Sequence, residues 1–409
     1  MANRFLNKKI TLVVFGATGD LMARKLAPAL FYLYKERKLA RDFKVIGVSR
    51  RELSEEGFRK HLAEALARYK DIVRDRRFSS FLKRFSFVRG FFTQRYTYED
   101  VGRVLDKKAE VFFYLAVAPR FYKPILENLF RSKLNTSRSV ILVEKPFGLD
   151  LASARSLERL LTKYFREEAV YRIDHYLAKD GLSKLFDFRF REKSLEKIWS
   201  RKYIEKIEIF LWETLSAQGR GEFYDKVGAF VDVGQNHMLE MLAVATMEKP
   251  KNFSALEICK SRAKAISALH IPSGKEIKTS TFRSQYRGYR EIKGVKRGSK
   301  TETYFKIEAL LKNPRFKRVP VIFESGKRMP STRKEIVVHF RDRRELVFPV
   351  ETGVRKYQYV DEYRKILNAA FAHDLKLFLS WEEVLAAWRF ANPIRKSWDK
   401  NKVPLRYYA

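Results

Sequence analysis

Over the first 175 residues or so, short apolar runs alternate with longer stretches in which apolar residues recur every three or four positions. Apolar runs of four to eight residues fit buried strands, and the longer spacing fits helices with one covered face. The pattern predicts strands at 10–15, 43–48, 111–117, 139–144 and 170–173, and helices at 21–36, 55–69, 121–132 and 152–165. Strands joined through helices in this way read as right-handed β-α-β crossovers of a doubly wound α/β domain. Beyond about residue 180 the order changes. An alternating strand at 204–212 is followed by helices at 231–247 and 255–268, strands at 303–311, 319–324, 335–340 and 345–350, and closing helices at 361–372 and 381–390. Such an order suits a larger α+β domain with a mainly antiparallel sheet. Without an internal repeat or long linker, the expected division is 1–178 and 179–409.

The composition supports a folded chain: 45% of the 409 residues are hydrophobic, with 33 Phe and 20 Tyr available for burial. Cys259 is the single cysteine, which excludes an intramolecular disulfide and a Cys-rich zinc site and points to a reducing, cytoplasmic setting. No apolar run reaches the roughly 18 residues of a membrane span. Met1-Ala2-Asn3-Arg4 does not begin a signal peptide. The net charge of +37 raises the question of a polyanionic partner. The basic residues are spread along the chain, and the densest stretch, 287–297, is interrupted by Gly288, Glu291 and Gly294. Nucleic acid is therefore not an expected partner.

Five segments carry candidate chemistry. Gly16-Ala17-Thr18-Gly19-Asp20-Leu21 lies between a strand and a helix, where glycines let backbone N–H groups approach a pyrophosphate; a tight strand-to-helix turn accounts for it too. Ser49-Arg50-Arg51 ends the second strand with cations where NAD-specific folds carry an acid. That favours a 2′-phosphate, hence NADP, or else is a basic surface turn. Glu144-Lys145-Pro146 follows the 139–144 strand, at the end where α/β sheets bind ligands. Asp174-His175-Tyr176-Leu177-Ala178-Lys179 groups a carboxylate, an imidazole, a phenol and an ammonium, three of them able to donate to a phosphate. Further along, Asp232-Val233-Gly234-Gln235-Asn236-His237 puts a histidine in a polar setting on an otherwise apolar helix, whereas His61, His270, His339 and His373 have no comparable neighbours in sequence.

Together these segments resemble the glucose-6-phosphate dehydrogenase family. Gly16 to Leu21 corresponds to its nucleotide loop, Glu144-Lys145-Pro146-Phe147-Gly148 to its E-K-P-F-G, Arg172 to Lys179 to its R-I-D-H-Y-L-G-K, and Asp232 to His237 to its D-V-x-Q-N-H. The resemblance runs from about residue 10 to 395 and includes Gly219-Arg220-Gly221, Tyr224-Asp225 and Ala387-Trp388-Arg389. It implies a Rossmann-like NADP-binding domain, with Gly16, Thr18, Gly19, Asp20, Leu21, Lys25, Arg50 and Lys145 toward the cofactor. It also implies oxidation of glucose 6-phosphate at C1 to the 6-phospho-lactone, the first step of the oxidative pentose phosphate pathway. His237 would be the general base oriented by Asp174. His175, Tyr176 and Lys179 would hold the phosphate, and Glu213, Asp232, Lys145 and Lys327 the sugar hydroxyls.

The chain departs from the family at Ala178, at Ala118-Pro119, and in a loop after Lys327 that is one residue longer, which moves a second basic substrate contact to Arg333. The stretch between about 340 and 360 is shorter than usual, where the family's second sheet and dimer contact lie; a homo-oligomer is still what the resemblance implies. No metal is expected, since neither H-E-x-x-H nor a cysteine cluster occurs. The alternatives are another two-domain NAD(P)-dependent sugar oxidoreductase with an E-K-P motif, or a basic nucleic-acid-binding protein built on an inactive dehydrogenase fold.

Overall fold

A computed structural model describes residues 8–191, 193–351, 357 and 359–409, which fall into two compact units. In chain order the strands are β1 (Ile10–Phe15), β2 (Lys44–Ser49), β3 (Phe85–Arg89), β4 (Glu110–Leu115), β5 (Ser139–Glu144), β6 (Val170–Ile173), β7 (Ile204–Trp212), β8 (Thr281–Tyr286), β9 (Tyr304–Leu310), β10 (Pro320–Gly326), β11 (Arg333–Phe340), β12 (Glu345–Pro349), β13 (Phe378–Leu379) and β14 (Leu405–Tyr408).

In the first unit seven strands form one sheet in the order β13-β6-β5-β4-β1-β2-β3. β1 to β6 are parallel, and β13 closes one edge antiparallel to β6. Every residue of β1 is buried, as a strand covered by helices on both faces must be. The strand order reverses at β1, which lies between β4 and β2. Crossovers leave in opposite directions there and open a crevice at the strands' carboxyl ends. The helix expected at 21–36 is composite: a π-helical stretch, Met22–Leu26, runs into an α-helix, Ala27–Lys35, with Pro28 at the junction and the Arg24 carbonyl one turn before it accepting from the Tyr69 hydroxyl at 2.9 Å. β3 and the helix Arg95–Val104 were not anticipated. The strand has five residues of mixed burial, too short and irregular to show a period.

One boundary between the units falls at 178/179, but neither unit is a single continuous stretch. The helix Val360–Phe371 and β13 belong with the first unit, and Gly148–Arg155 with the second. The reason is packing. Val360, Tyr363, Ile366, Leu367, Ala370 and Phe371 form a helical stripe buried in the same cluster as Leu12, Leu30 and Phe112. The Phe371 ring centroid lies 5.3 Å from that of Phe43 and 5.2 Å from that of Phe112.

The second unit is built on a sheet in the order β12-β11-β7-β10-β9-β8-β14. β7 with β10 and β8 with β14 are parallel, and the other pairings are antiparallel. Burial alternates along β9, so one face of the sheet is covered and the other meets solvent. On the covered side a π-helical segment, Phe230–Met238, lies against β7 and β10. The helix expected at 231–247 is this segment followed by an α-helix, Leu239–Thr246, and a break at Gly228 (φ +70°) separates it from the helical turns before it. The apolar pattern does not predict β8, because its buried residues include Thr281, Arg283, Ser284 and Gln285. The last helix, Trp381–Asp399, opens with a Ser380–Glu383 capping box and continues through Pro393, beyond its expected end at 390.

Candidate active site

In the first unit, Gly16 follows β1 with φ +89°, and a Cβ there would lie 2.4 Å from the Ala116 carbonyl oxygen, just past β4. Only glycine fits. The Gly16 N–H donates to the Val48 carbonyl (2.9 Å) and the Gly19 N–H to Gly16 O (3.0 Å), which closes the loop tightly over the β1–β2 junction. Thr18 Oγ1 lies 2.8 Å from Ser49 Oγ, so the loop is tied to the end of β2, beyond which Arg50 and Arg51 are exposed. Asp20, also exposed, faces Arg24 across one turn at 3.7 Å, and Leu21 packs against the core. A backbone that a Cβ would block, a switch point and exposed guanidinium groups nearby together fit a dinucleotide bearing a phosphate.

Lys25 is placed differently from the rest of the loop. Its Nζ sits 4.8 Å from the Tyr359 ring centroid and 5.0 Å from that of Tyr363, on the returning C-terminal segment. Tyr363 also donates to Glu144 Oε1 at 2.8 Å, and Tyr114 donates to the same oxygen at 2.5 Å. Burial raises the Glu144 carboxyl above its ordinary range against these donated bonds, and raises both phenols well above theirs. Glu144 is thus a fixed post that sets the course of the chain into Lys145. Its tyrosine partners were invisible in sequence, lying 30 and 219 positions away.

Asp174 follows β6, fully buried, and accepts from the Tyr176 N–H at 2.9 Å, which shapes the turn that presents His175 and Tyr176. The His175 ring is edge-on to Tyr359 at 4.9 Å. Arg172, within the same motif, is structural: its buried guanidinium binds Glu158 (2.7 Å) and Glu167 (2.7 and 2.8 Å).

In the second unit, β7 and β10 run parallel with Trp212 opposite Gly326, so the residues that follow, Glu213 and Lys327, emerge side by side. Their side chains meet at 2.6 Å, the Glu213 N–H donates to Gly326 O at 2.9 Å, and Lys327 Nζ lies 5.3 Å from the Tyr224 ring centroid. Asp232 and His237 both lie on the π-helical segment. With i to i+5 hydrogen bonding, residues five apart face the same side, which an α-helix would not achieve. His237 is buried, its N–H donates to Asn236 Oδ1 at 2.7 Å, and Asp232 is 3.5 Å from the Arg220 guanidinium.

The N-terminus of this segment is held by Glu302, which the sequence did not single out. Its Oε1 accepts from the Phe230 N–H at 3.0 Å, and it fills the notch left by Gly228, where a Cβ would lie 2.3 Å from that oxygen. Burial pushes its carboxyl from 4.5 up to about 7.

Lys179 is 1% exposed and paired with Glu351 at 2.5 Å. Arg333 stacks at 3.5 Å over Phe210 and pairs with Glu335 at 2.5 Å, while Lys334, on the opposite face of β11, reaches Glu351 at 3.5 Å. Three of the remaining histidines also correct an expectation, because distant carboxylates give them polar settings. His339 lies between Glu208 and Glu345 at 2.6 and 2.7 Å, His373 binds Glu110 at 2.5 Å, and His270 binds Glu276 at 2.9 Å.

A doubly wound sheet with a glycine loop at its switch point, in one chain with an α+β unit carrying paired polar side chains, is an architecture that nicotinamide-dependent oxidoreductases use, and the comparisons with known proteins give the chain that class. The chain matches "Glucose-6-phosphate dehydrogenase, NAD binding domain" over residues 13–183 and the family's C-terminal domain over residues 186–359. It is 31% identical to glucose-6-phosphate 1-dehydrogenase of Borreliella burgdorferi, across 97% of this chain and 94% of that protein. Among solved structures it resembles a glucose-6-phosphate dehydrogenase in complex with glucose-6-phosphate (TM-score 0.90, 26% identity, 100% and 95% of the two chains). It also resembles the Mycobacterium avium glucose-6-phosphate 1-dehydrogenase (TM-score 0.87, 28% identity, 98% and 94%). The chain therefore belongs to the glucose-6-phosphate dehydrogenase family.

Proposed function

We propose that this chain oxidises C1 of D-glucose 6-phosphate to 6-phospho-D-glucono-1,5-lactone with NADP, the step that opens the oxidative pentose phosphate pathway. The observation that carries the reading is the family match over both units, with the Asp174 to Lys179 segment matching except at Ala178 and the Gln235 to His237 segment intact. His237 takes the C1 hydroxyl proton as the carbonyl forms, and Asp174 holds the imidazole in the accepting tautomer and balances its charge. The nicotinamide, when bound, accepts the hydride from C1. His175, Tyr176 and Lys179 hold the phosphate, while Glu213, Asp232, Lys145 and Lys327 position the sugar hydroxyls so that binding energy far from C1 aligns it.

Gly16, Thr18, Gly19, Asp20 and Leu21 cradle the dinucleotide, Lys25 and Lys145 serve its side of the site, and Arg50 selects the 2′-phosphate. The same reading places the enzyme in the cytoplasm as a homo-oligomer. The described residues contain no helix long and apolar enough to cross a membrane. The test is NADPH absorbance with glucose 6-phosphate for the wild type and His237→Asn. The variant should lose roughly 10²- to 10⁴-fold in kcat with little change in substrate affinity. Near-normal kcat would remove His237 from the base role.

A further inference from the structure

Lys179 sits where an ammonium needs an anion: its side chain is 1% exposed, and a buried cation is tolerated only with a counter-charge. Glu351 supplies that charge at 2.5 Å, and the same oxygen, Oε1, lies 3.5 Å from Lys334. The backbone leading to Glu351 is pinned. The Val350 N–H donates to Lys334 O at 2.9 Å, and Val350 O accepts from the Gly181 N–H at 3.2 Å. A Cβ on Gly181 would lie 2.1 Å from the Pro349 carbonyl oxygen, so the end of β12 rests directly on the turn that carries Lys179. The carboxylate is 29% exposed, more open to water than the ammonium it serves.

From this arrangement we infer that Glu351 is an internal counter-anion which the substrate's phosphate displaces from Lys179, with Lys334 as the cation to which the carboxylate withdraws. The inference rests on the phosphate role given to Lys179 above and adds a specificity-determining residue to it. A carboxylate and a phosphate present the same charge sign and the same acceptor oxygens to an ammonium. A dianionic phosphate competes for Lys179 more strongly than one carboxylate can hold it, whereas a neutral hydroxyl does not compete. Glu351 thereby keeps the buried site stable when empty, and it weakens every phosphate ligand by the strength of the pair that must be broken.

The test compares wild type, Glu351→Gln, Lys334→Ala and the double variant. The readouts are KM for glucose 6-phosphate, KM for unphosphorylated glucose, and inhibition by inorganic phosphate. Glu351→Gln should lower the glucose 6-phosphate KM and the phosphate inhibition constant about three- to tenfold relative to the glucose KM. Lys334→Ala should raise both phosphate-dependent constants, and that effect should vanish in the Glu351→Gln background. A purely structural Glu351 would raise the KM for both sugars, and this outcome, or unchanged phosphate constants, overturns the inference. If Glu351→Gln does not fold, Lys334→Ala alone decides, since it must raise the phosphate constants and spare glucose. Calorimetric binding of inorganic phosphate to wild type and variants needs no turnover. It reads the exchange even if the wild type fails to oxidise glucose 6-phosphate, so the two proposals can fail separately.

Discussion

Glu302 caps the segment that carries Asp232 and His237, and its replacement by Gln isolates one titration. The Gln amide oxygen can still accept from the Phe230 N–H in the notch beside Gly228, but it carries no proton equilibrium. Burial raises the native carboxyl from 4.5 to about 7, so over that interval the folded state binds a proton that the unfolded chain has lost. The contribution is therefore complete below about pH 4.5 and disappears as pH climbs through 7. The shift corresponds to about 3 kcal/mol at 1.36 kcal/mol per pH unit. Urea unfolding at half-unit steps from pH 4.5 to 8 gives the stability of each protein. The wild-type curve minus the Glu302→Gln curve should fall by about that amount with rising pH, with most of the change between pH 5 and 7. Taking the difference cancels the other carboxylates and histidines, which both proteins share. A flat difference curve would show that Glu302 is not buried neutral, and would remove the proton from the account of how this segment is held.

Gly16→Ala forces the loop against the Ala116 carbonyl and should weaken NADPH binding more than tenfold by fluorescence titration, and a change within twofold would show that the loop can relax without loss. Arg50→Ala should reduce the NADP over NAD preference in kcat/KM by roughly 10- to 100-fold, and an unchanged ratio would make Arg50 surface charge only. Lys179→Ala should raise KM for glucose 6-phosphate far more than it affects glucose, whereas equal losses on both sugars would mark the residue as structural.

What the sequence disclosed and what it withheld follow the distance over which each interaction acts. β5, β6 and β7 have the expected bounds because each is a local apolar or alternating pattern. β8 was hidden because most of its buried positions are polar, with Arg283 and Gln285 bonding to the carbonyls of Val403 and Thr301. The chemical motifs were legible as short contiguous runs, but the groups that hold them were not. Tyr363 for Glu144, Glu351 for Lys179 and Glu302 for the π-helical segment lie 219, 172 and 72 positions away, beyond any periodicity. The π-helical register under Asp232 and His237 was equally hidden. Apolar spacing predicts a helix there without saying which carbonyl each N–H will choose.

The helix Val360–Phe371 has a bearing on how the chain is made. A ribosome releases Ile10 to Ile173, and with them the parallel strands of the first sheet, long before it releases Tyr363 or Phe371. Until then, the hydrophobic surface around Leu12, Leu30 and Phe112 lacks its cover, and the Glu144 carboxyl lacks one of its two phenol donors. The nucleotide-binding unit is thus completed late, only about thirty residues before the chain ends, although its sequence comes first. A premature stop anywhere before residue 379 would injure the amino-terminal unit as surely as the carboxyl-terminal one, and a chaperone would meet the nascent chain at that uncovered face.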